Sequence, residues 1–167
     1  RRQRQMCIRD RGYTAPGEFG QTAVIGEAIS LSGLSARDIG LVESHGTGTA
    51  LGDPIEFAAL GKAFGHFTQD RGFRALGAVK ANIGHADAAS GIASFIKAVM
   101  AVHTGHIPPH PLFEEANPAL DLDASPFYIN TALADWKDAE RPRAAGISSF
   151  GIGGSNAHAV IMQAPEE

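Results

Sequence analysis

Apolar residues recur along the chain in two patterns, one with a helical period and one in short continuous runs. Residues 20–33 carry apolar side chains every three to four positions, which predicts an amphipathic helix, and Gly33 suits its C-terminal stop. The apolar stripe of this helix consists of Ala23, Ile25, Ala28, Ile29 and Leu31. Asp53 suits the N-cap of a second helix and Pro54 its first position.

The predicted elements alternate between helix and strand. The predicted helices cover residues 20–33, 53–64 and 86–103. The predicted strands cover residues 38–44, 75–80, 127–129, 145–150 and 157–162. Residues 105–126 are rich in proline and predict an irregular connection. This order of elements indicates the α/β class.

The predicted helix 86–103 is apolar on nearly all sides. One line of apolar residues consists of Ala88, Ile92, Phe95, Val99 and Val102, and a second of Ala89, Ala93, Ile96 and Met100. A helix with this pattern is buried on most sides. Because a chain this short has difficulty enclosing such a helix, we expect a partner layer outside it.

Composition excludes several classes of protein. Hydrophobic residues make up 44% of the 167 residues and charged residues 19%, which excludes a disordered chain. The net charge of −4 does not favour nucleic-acid binding, and one cysteine excludes an internal disulfide framework. No apolar run approaches the length of a membrane span, and no signal-like stretch opens the chain. We therefore expect a cytoplasmic domain that binds neither nucleic acid nor membranes.

Charge is distributed unevenly along the chain. Residues 1–12 carry +4, and residues 13–167 carry −8. We interpret the basic segment as a disordered end or as foreign to the domain, with a nucleic-acid-binding arm as the alternative. It contains the only cysteine, Cys7, which we do not assign as a nucleophile because no ordered framework surrounds it.

Three glycine-rich segments place polar side chains beside predicted strands. In residues 42–56, His45 follows a strand directly, and Gly46 and Gly48 permit tight turns. No lysine completes a phosphate-binding loop, and the glycines miss the dinucleotide-binding spacing by one residue. The residues alone leave both a functional loop and a structural turn open.

The other two segments are equally ambiguous when each is taken alone. Lys80 and His85 flank a predicted turn before a helix, where a histidine is also consistent with a structural core position. Residues 146–161 place a glycine-rich loop between two strands. Because a strand follows this loop and G-x-S-x-G is absent, neither a Rossmann fold nor a nucleophile elbow fits.

Three histidines, His103, His106 and His110, have the spacing of metal ligands. Prolines interrupt any helical face that they would share. We interpret this segment as a solvated loop and expect no metal site.

Together, the three glycine-rich segments resemble the β-ketoacyl synthase (ketosynthase) domains of modular, type I polyketide synthases. The motifs that carry the resemblance are HGTGT, GDPIE, KANIGH and SSFGIGGSNAH, in this order. The resemblance extends over residues 13–165 and implies a thiolase-like fold of two similar halves, each with a mixed β-sheet. This chain resembles the C-terminal half only. The family's nucleophilic cysteine lies in the N-terminal half, so the resemblance implies no nucleophile here.

The resemblance also implies a reaction. The family loads an acyl chain onto its cysteine and condenses it with a malonyl-type extender, which loses carbon dioxide. His45 and His85 match the two histidines that assist decarboxylation. Lys80 matches the family lysine, which we expect to pair with Glu56. The parent protein would thus be an acyltransferase of polyketide or fatty-acid-like biosynthesis.

The remaining matched residues concern the substrate. Thr47 and Thr49 match residues that contact a phosphopantetheine arm, and the Ile152 N–H matches one oxyanion-hole donor. Phe150 belongs to the same substrate-binding group, and Asn156 is expected to support the glycine loop. The resemblance implies no permanently bound cofactor, because the substrates travel on the phosphopantetheine of an acyl carrier protein. The implied partners are that carrier protein, the N-terminal half, neighbouring synthase domains and a second copy in a homodimer.

Three alternatives belong to other classes. One is a non-catalytic, ketosynthase-like partner subunit, which the retained His45, Lys80 and His85 disfavour. The others are a degradative thiolase, which uses a different motif set, and a nucleotide-binding module. We expect the chain to be inactive without the N-terminal half.

Overall fold

The computed structural model describes residues 16–111, 113–136 and 141–165. The helices are α1 (Glu18–Ser32), α2 (Gly52–Gly65), α3 (Lys80–Ile83) and α4 (Ser90–Thr104). The strands are β1 (Ile39–Glu43), β2 (Arg74–Gly77), β3 (His106–Ile107), β4 (Phe127–Ile129), β5 (Ala134–Asp135), β6 (Ala144–Phe150) and β7 (Asn156–Met162). The predicted domain boundary at residue 13 and Cys7 lie outside the described residues.

A five-stranded sheet with the order β4-β2-β1-β6-β7 forms the centre of the molecule. The first four strands in this order run parallel, and β7 returns antiparallel to β6. The strands β3 and β5 form a separate antiparallel pair. The α/β class and the mixed sheet predicted from the sequence are therefore confirmed.

Helices cover both faces of this sheet because side chains alternate along each strand. Val42 of β1 joins a core with Ile25 of α1 and Phe64 of α2. Leu41, its neighbour in β1, joins a second core with Ala98 of α4. The sheet is thus sandwiched between the pair α1 and α2 on one side and α4 on the other.

The structure confirms the predicted C-terminal end of α1, but only part of its predicted apolar stripe is buried. Gly33 closes α1 with φ at 70°, a conformation that glycine adopts without strain. Ile25 and Ile29 are buried, whereas Leu31 is 80% exposed. The buried face instead includes Gln21, one turn before Ile25. The apolar stripe is therefore wider than the face that α1 presents to the core.

The helix predicted over residues 86–103 begins only at Ser90, after a short 3-10 turn at Asp87–Ala89. Two further predicted boundaries are wrong. Leu51, not Asp53, occupies the N-cap of α2, and Asp53 lies in the first turn. The strand β2 ends at Gly77, and Lys80 begins the short helix α3 instead of ending a strand. In both places the side chain is used for a contact with the loop after β1, as described below, and this contact outweighs local preference. The strands β3 and β5 were not predicted, because two residues are too few to form a recognisable pattern.

The fourth helix is buried on one face only, which corrects the prediction that it is buried on most sides. Its buried residues are mostly small: Ser90, Ser94, Ala98, Ala101 and Val102. Its large apolar residues are 37–57% exposed: Ile92, Phe95, Ile96, Val99 and Met100. Small residues face the sheet, so the helix axis lies close to it and the bulky side chains point away. This exposed stripe, the outer face of α4, is consistent with the expected partner layer. No helix in the described part of the chain is long and apolar enough to cross a membrane.

The outer face of α4 predicts that the isolated chain self-associates. Replacing Ile92, Ile96 and Met100 together by glutamine keeps helix-forming residues and removes most of the exposed apolar stripe. We expect the triple variant to elute as a monomer in size-exclusion chromatography with light scattering, where the unmodified chain forms larger species. Leu133→Gln, at an exposed apolar residue outside α4, is the control and should change nothing. A compact monomer of the unmodified chain would contradict the prediction.

Candidate active site

The three glycine-rich segments meet at one edge of the sheet. His45 follows β1, the turn that contains Lys80 and His85 follows β2, and Phe150 ends β6. Because these three strands are parallel, their carboxyl ends lie side by side, which is where open α/β sheets bind ligands. The sheet therefore brings the predicted residues together.

A buried carboxylate holds the loop after β1. The two carboxylate oxygens of Glu56, on α2, accept hydrogen bonds from the backbone N–H groups of His45 (2.7 Å) and Gly46 (2.9 Å). Burial raises the pKa of Glu56 to about 7, although the two N–H donors and the nearby Lys80 oppose this shift. One turn earlier, Asp53 accepts from the N–H of Gly48 (3.1 Å). Two carboxylates on the first turns of α2 thus fix the backbone of residues 45–48.

This use of Asp53 was missed by the sequence analysis, which assigned it as a helix cap. The signal was present in the spacing of GDPIE, because residues three apart lie on the same face of a helix. Asp53 and Glu56 therefore approach the same loop.

Gly46 occupies a position that no other residue fits. Its φ is +48°, and a Cβ added there would lie 2.6 Å from the Cβ of Ala78 and 2.8 Å from Oγ of Ser44. Ser44 is itself held, since both its N–H and its hydroxyl donate to the carbonyl oxygen of Gly77 at 2.8 Å. The absence of a side chain at Gly46 lets the loop after β1 pack directly against the turn after β2.

Lys80 contacts His45 and not Glu56. Its Nζ donates to the carbonyl oxygen of His45 at 2.5 Å and lies 3.4 Å from Nδ1 of the same residue. No ion pair within 4.0 Å joins Lys80 to Glu56, so the expected direct pair is wrong. Burial lowers the pKa of Lys80, while the negative charges of Glu56 and Glu43 act in the opposite direction. Lys80 and Glu56 instead bind the backbone of His45 at two different atoms. Lys80 donates to its C=O, and Glu56 accepts from its N–H.

The imidazole of His45 is neutral and its tautomer is defined. Burial lowers its pKa to about 4, and the neighbouring Lys80 and His85 act in the same direction. Its Nδ1 accepts from the N–H of Phe150 at 3.4 Å and also faces Nζ of Lys80. With Nδ1 used as an acceptor, the ring proton lies on Nε2.

His85 has the same tautomer for a different reason. The N–H of Asp87 donates to its Nδ1 at 3.0 Å, so the ring proton again lies on Nε2. The rings of His85 and His45 lie 5.9 Å apart, edge to face. The ring of Phe150 lies 5.6 Å from that of His45 on another side. The site therefore contains two adjacent imidazoles, each with an Nε2–H available to a ligand.

A cavity of about 360 Å³ opens beside His45. It is lined by the predicted substrate-binding residues Thr47, Thr49, Phe150 and Ile152, and by Asn156. Ile152 is 74% exposed at its rim. The glycine loop is closed by backbone bonds such as Gly151 N–H to the carbonyl oxygen of Ser155 (2.7 Å). No side-chain bond from Asn156 to this loop occurs among the described contacts, and its supporting role stays a prediction.

The comparisons with known proteins identify the family of the chain. The family described as "Beta-ketoacyl synthase, C-terminal domain" matches residues 5–114. The chain belongs to this ketosynthase family. The match begins inside the basic segment 1–12, whose assignment outside the domain stays a prediction.

Two groups of ketosynthase relatives resemble the chain over nearly its whole length. A phenolphthiocerol/phthiocerol polyketide synthase of Mycobacterium tuberculosis is 48% identical over 158 residues, which are 95% of this chain and 10% of that protein. The crystal structure of ketosynthase twelve from the bacillaene polyketide synthase of Bacillus amyloliquefaciens superposes with a TM-score of 0.91 at 37% identity. The module 6 ketosynthase of the bacillaene synthase of Bacillus subtilis has a TM-score of 0.90 at 38% identity.

The chain matches only a part of each of these relatives. The match to both solved ketosynthases covers 95% of this chain, but only 28% and 29% of theirs. The chain spans about a tenth of the polyketide synthase from Mycobacterium tuberculosis. These comparisons confirm the thiolase-like fold and the C-terminal half of a ketosynthase domain.

Of the three histidines with metal-like spacing, His110 lines a cavity with Thr47, Asp53 and Lys80, whereas His103 and His106 do not line it. His103 is in the last turn of α4, His106 lies in β3 with Nε2 3.6 Å from Oδ1 of Asp135, and His110 contacts the ring of Phe113. In the described ranges, no three His, Cys, Asp or Glu side chains are grouped so that they could hold a metal ion.

The geometry at Gly46 predicts different costs for two glycine substitutions. Gly46 and Gly48 both have positive φ, but a Cβ at Gly48 meets nothing within 4 Å. Gly48→Ala should therefore cost only the left-handed backbone, about 1–2 kcal/mol of the free energy of unfolding. Gly46→Ala adds the collision with Ala78 and Ser44, about 1–3 kcal/mol more. Urea unfolding of both variants in a complete ketosynthase measures the difference, and equal costs would contradict the described packing.

Proposed function

We propose that this chain is the decarboxylation half of a ketosynthase that condenses an acyl thioester with a malonyl-type extender on an acyl carrier protein. The observation that carries the proposal is the pair of neutral imidazoles, His45 and His85, with both Nδ1 atoms occupied as acceptors. Such a pair offers two Nε2–H donors and no positive charge, which suits a carbonyl oxygen on which negative charge develops.

The reaction proceeds in two stages on this arrangement. The extender's bond to its carboxylate breaks, carbon dioxide leaves, and the electron pair forms an enolate whose oxygen accepts hydrogen bonds from the two Nε2–H groups. The enolate carbon then attacks the acyl thioester on the cysteine of the N-terminal half, and that thiolate leaves. Lys80 acts on His45, because its ammonium faces Nδ1 and keeps the ring proton on Nε2.

The cavity beside His45 suits the carrier arm. We assign the hydroxyls of Thr47 and Thr49 to the amides of phosphopantetheine, and the backbone N–H of Ile152 to the oxygen of the acyl thioester. The two hydroxyls lie 3.2 Å apart, and Thr49 also accepts from the N–H of Gly52 at 3.0 Å. Their positions are therefore set before a ligand arrives. The arm arrives as part of the substrate, and no resident cofactor enters the proposed reaction.

The partners follow from what the chain leaves incomplete. We assign the outer face of α4 to the N-terminal half of the same ketosynthase, which also supplies the cysteine. This is consistent with the size of the solved relatives, of which the chain covers 28% and 29%. The complete protein would act in the cytoplasm as a homodimer beside other synthase domains, and the isolated chain would be inactive. The presence of His45, Lys80 and His85 disfavours a non-catalytic partner subunit.

Replacing either imidazole should strongly slow decarboxylation. In a ketosynthase completed with an N-terminal half, His45→Ala or His85→Ala removes one donor to the enolate oxygen. We expect carbon dioxide release from a malonyl carrier protein to fall by about 10²- to 10³-fold. His106→Ala, at a histidine outside the site, is the control and should retain the rate. Full activity of either site variant would refute the assignment.

Burial of His45 and the positive charge of Lys80 should together set the acid limb of the pH profile. The positive charge of Lys80 is one cause of the lowered pKa of His45, which is about 4 against an ordinary value of 6.5. In Lys80→Met this repulsion is absent, so protonation of His45 and the loss of decarboxylation should begin at a higher pH, between these values. The rate of carbon dioxide release from pH 4 to 8 measures the shift. Lys62→Met, at an exposed lysine on α2, is the control, and an acid limb that stays or moves lower in Lys80→Met would contradict the mechanism.

A further inference from the structure

A buried ion pair lies directly behind the site and has no part in the chemistry described so far. Glu43, the last residue of β1, is fully buried, and Nζ of Lys97 on α4 lies 3.0 Å from its Oε2. The side chain of Lys97 is 15% exposed. Removing two charges from water is costly, and a buried pair is weak support for stability alone. Its position relative to the site suggests another use.

The carboxylate of Glu43 ties the turn after β2 to the end of β1. Its Oε1 accepts the backbone N–H of Val79, while Oε2 faces Lys97. Gly77 makes room for the pair, because a Cβ there would lie 2.7 Å from Oε2 and 3.2 Å from Nζ. Ser44, next to Glu43, completes the link through its two bonds to the carbonyl oxygen of Gly77. Three elements, β1, the turn after β2 and α4, thus meet at one carboxylate.

Each of these elements continues directly into the catalytic machinery. His45 lies two residues after Glu43, and Lys80 directly follows Val79. His85 lies between Lys80 and α4, the helix that carries Lys97. Glu43 is therefore connected to all three functional residues through the backbone, and Lys80 in turn contacts His45 directly.

We propose that Glu43 and Lys97 are a positioning pair for decarboxylation, which sets Lys80 and His85 relative to His45. The inference rests on the proposed function but names residues outside the matched catalytic set. Neither side chain touches substrate in it.

The charges around Glu43 predict which variant is the more damaging. Burial raises the pKa of Glu43, and Lys97 is the largest opposing influence, ahead of the Val79 N–H and Lys80. In Lys97→Met the carboxylate keeps its burial but loses its nearest positive charge, with only Lys80 remaining. In Glu43→Gln the amide oxygen still accepts from Val79, and the partly exposed Lys97 can turn towards water. We therefore expect Lys97→Met to have the larger effect.

Two partial reactions separate positioning from general stability. Transfer of an acyl group onto the cysteine does not use the enolate donors, whereas carbon dioxide release from a malonyl carrier protein does. In a completed ketosynthase, Lys97→Met should lower carbon dioxide release by about ten- to a hundredfold, as expected for catalytic groups displaced by about an ångström. Acyl transfer to the cysteine should stay near that of the unmodified protein. Glu43→Gln should show the same split with a smaller loss.

The uncharged double variant E43Q/K97M decides between positioning and a loss of folded protein. It removes the unpaired charge but retains an acceptor for Val79, so carbon dioxide release should recover above that of Lys97→Met. If Lys97→Met does not fold, the test uses Glu43→Gln and the double variant, in which carbon dioxide release should fall while acyl transfer does not. The matched control is E18Q/K62M, which removes an exposed ion pair between α1 and α2 and should change neither partial reaction.

Several outcomes would overturn the inference. It fails if both partial reactions fall together, if neither changes, or if the double variant is no better than Lys97→Met. An unmodified protein that acylates its cysteine but releases no carbon dioxide refutes the proposed function as well. If the unmodified protein both acylates its cysteine and releases carbon dioxide, but the variants do not lose carbon dioxide release selectively, this inference alone is overturned.

Discussion

The site depends on the hydrogen bonds that Glu56 accepts from the N–H groups of His45 and Gly46, in the loop after β1. A chain that leaves a buried strand end still carries backbone donors that must be satisfied. Glu56 satisfies those of His45 and Gly46 with one side chain, and Asp53 satisfies that of Gly48. The loop is therefore held by α2 and not by its own conformational preference. Everything that contacts His45 relies on this attachment.

The attachment of the backbone of His45 also explains why two charged side chains, Glu56 and Lys80, lie beside this one histidine. Glu56 approaches the backbone of His45 at its N–H, and Lys80 approaches it at its C=O. If the carboxylate of Glu56 faced the imidazole, it would favour protonation of the ring. It instead accepts hydrogen bonds from the backbone amides of His45 and Gly46. The ammonium faces Nδ1 and opposes protonation, together with burial. The charges are arranged so that the backbone is fixed by both signs and the ring stays neutral.

Much of the fold was predictable from local patterns, because these are repeated in each long element. The strands 145–150 and 157–162 and the stop of α1 at Gly33 agree with the structure to within a residue. The predictions failed where a side chain serves a distant contact, as with Asp53 and Lys80. They also failed at α4, where periodicity identified the apolar residues but not which of them face the sheet. Small residues allow the helix to approach the sheet closely. Which face does so depends on both packing surfaces and not on the helix sequence alone.

The site could be predicted as a set of residues but not as a set of interactions. His45, Lys80 and His85 were identified from motif and order, and the parallel strands bring them to one edge. The expected direct pair of Lys80 with Glu56 does not form: the oxygens of Glu56 accept the N–H groups of His45 and Gly46, while Nζ of Lys80 donates to the carbonyl oxygen of His45. The pair of Glu43 with Lys97 carried no signal in the sequence, since the residues are 54 positions apart and each has an ordinary setting in its own element.

The amino-acid sequence by itself determined the α/β class, the order of its main elements, the family resemblance and the set of candidate site residues. These properties depend on residue type and spacing along one chain, which local physics constrains. Only the tertiary structure decided the histidine tautomers, the partner of each buried charge and the face of α4 that stays exposed. These depend on which groups from separate elements meet at hydrogen-bonding distance, and that is set when the sheet and helices pack together.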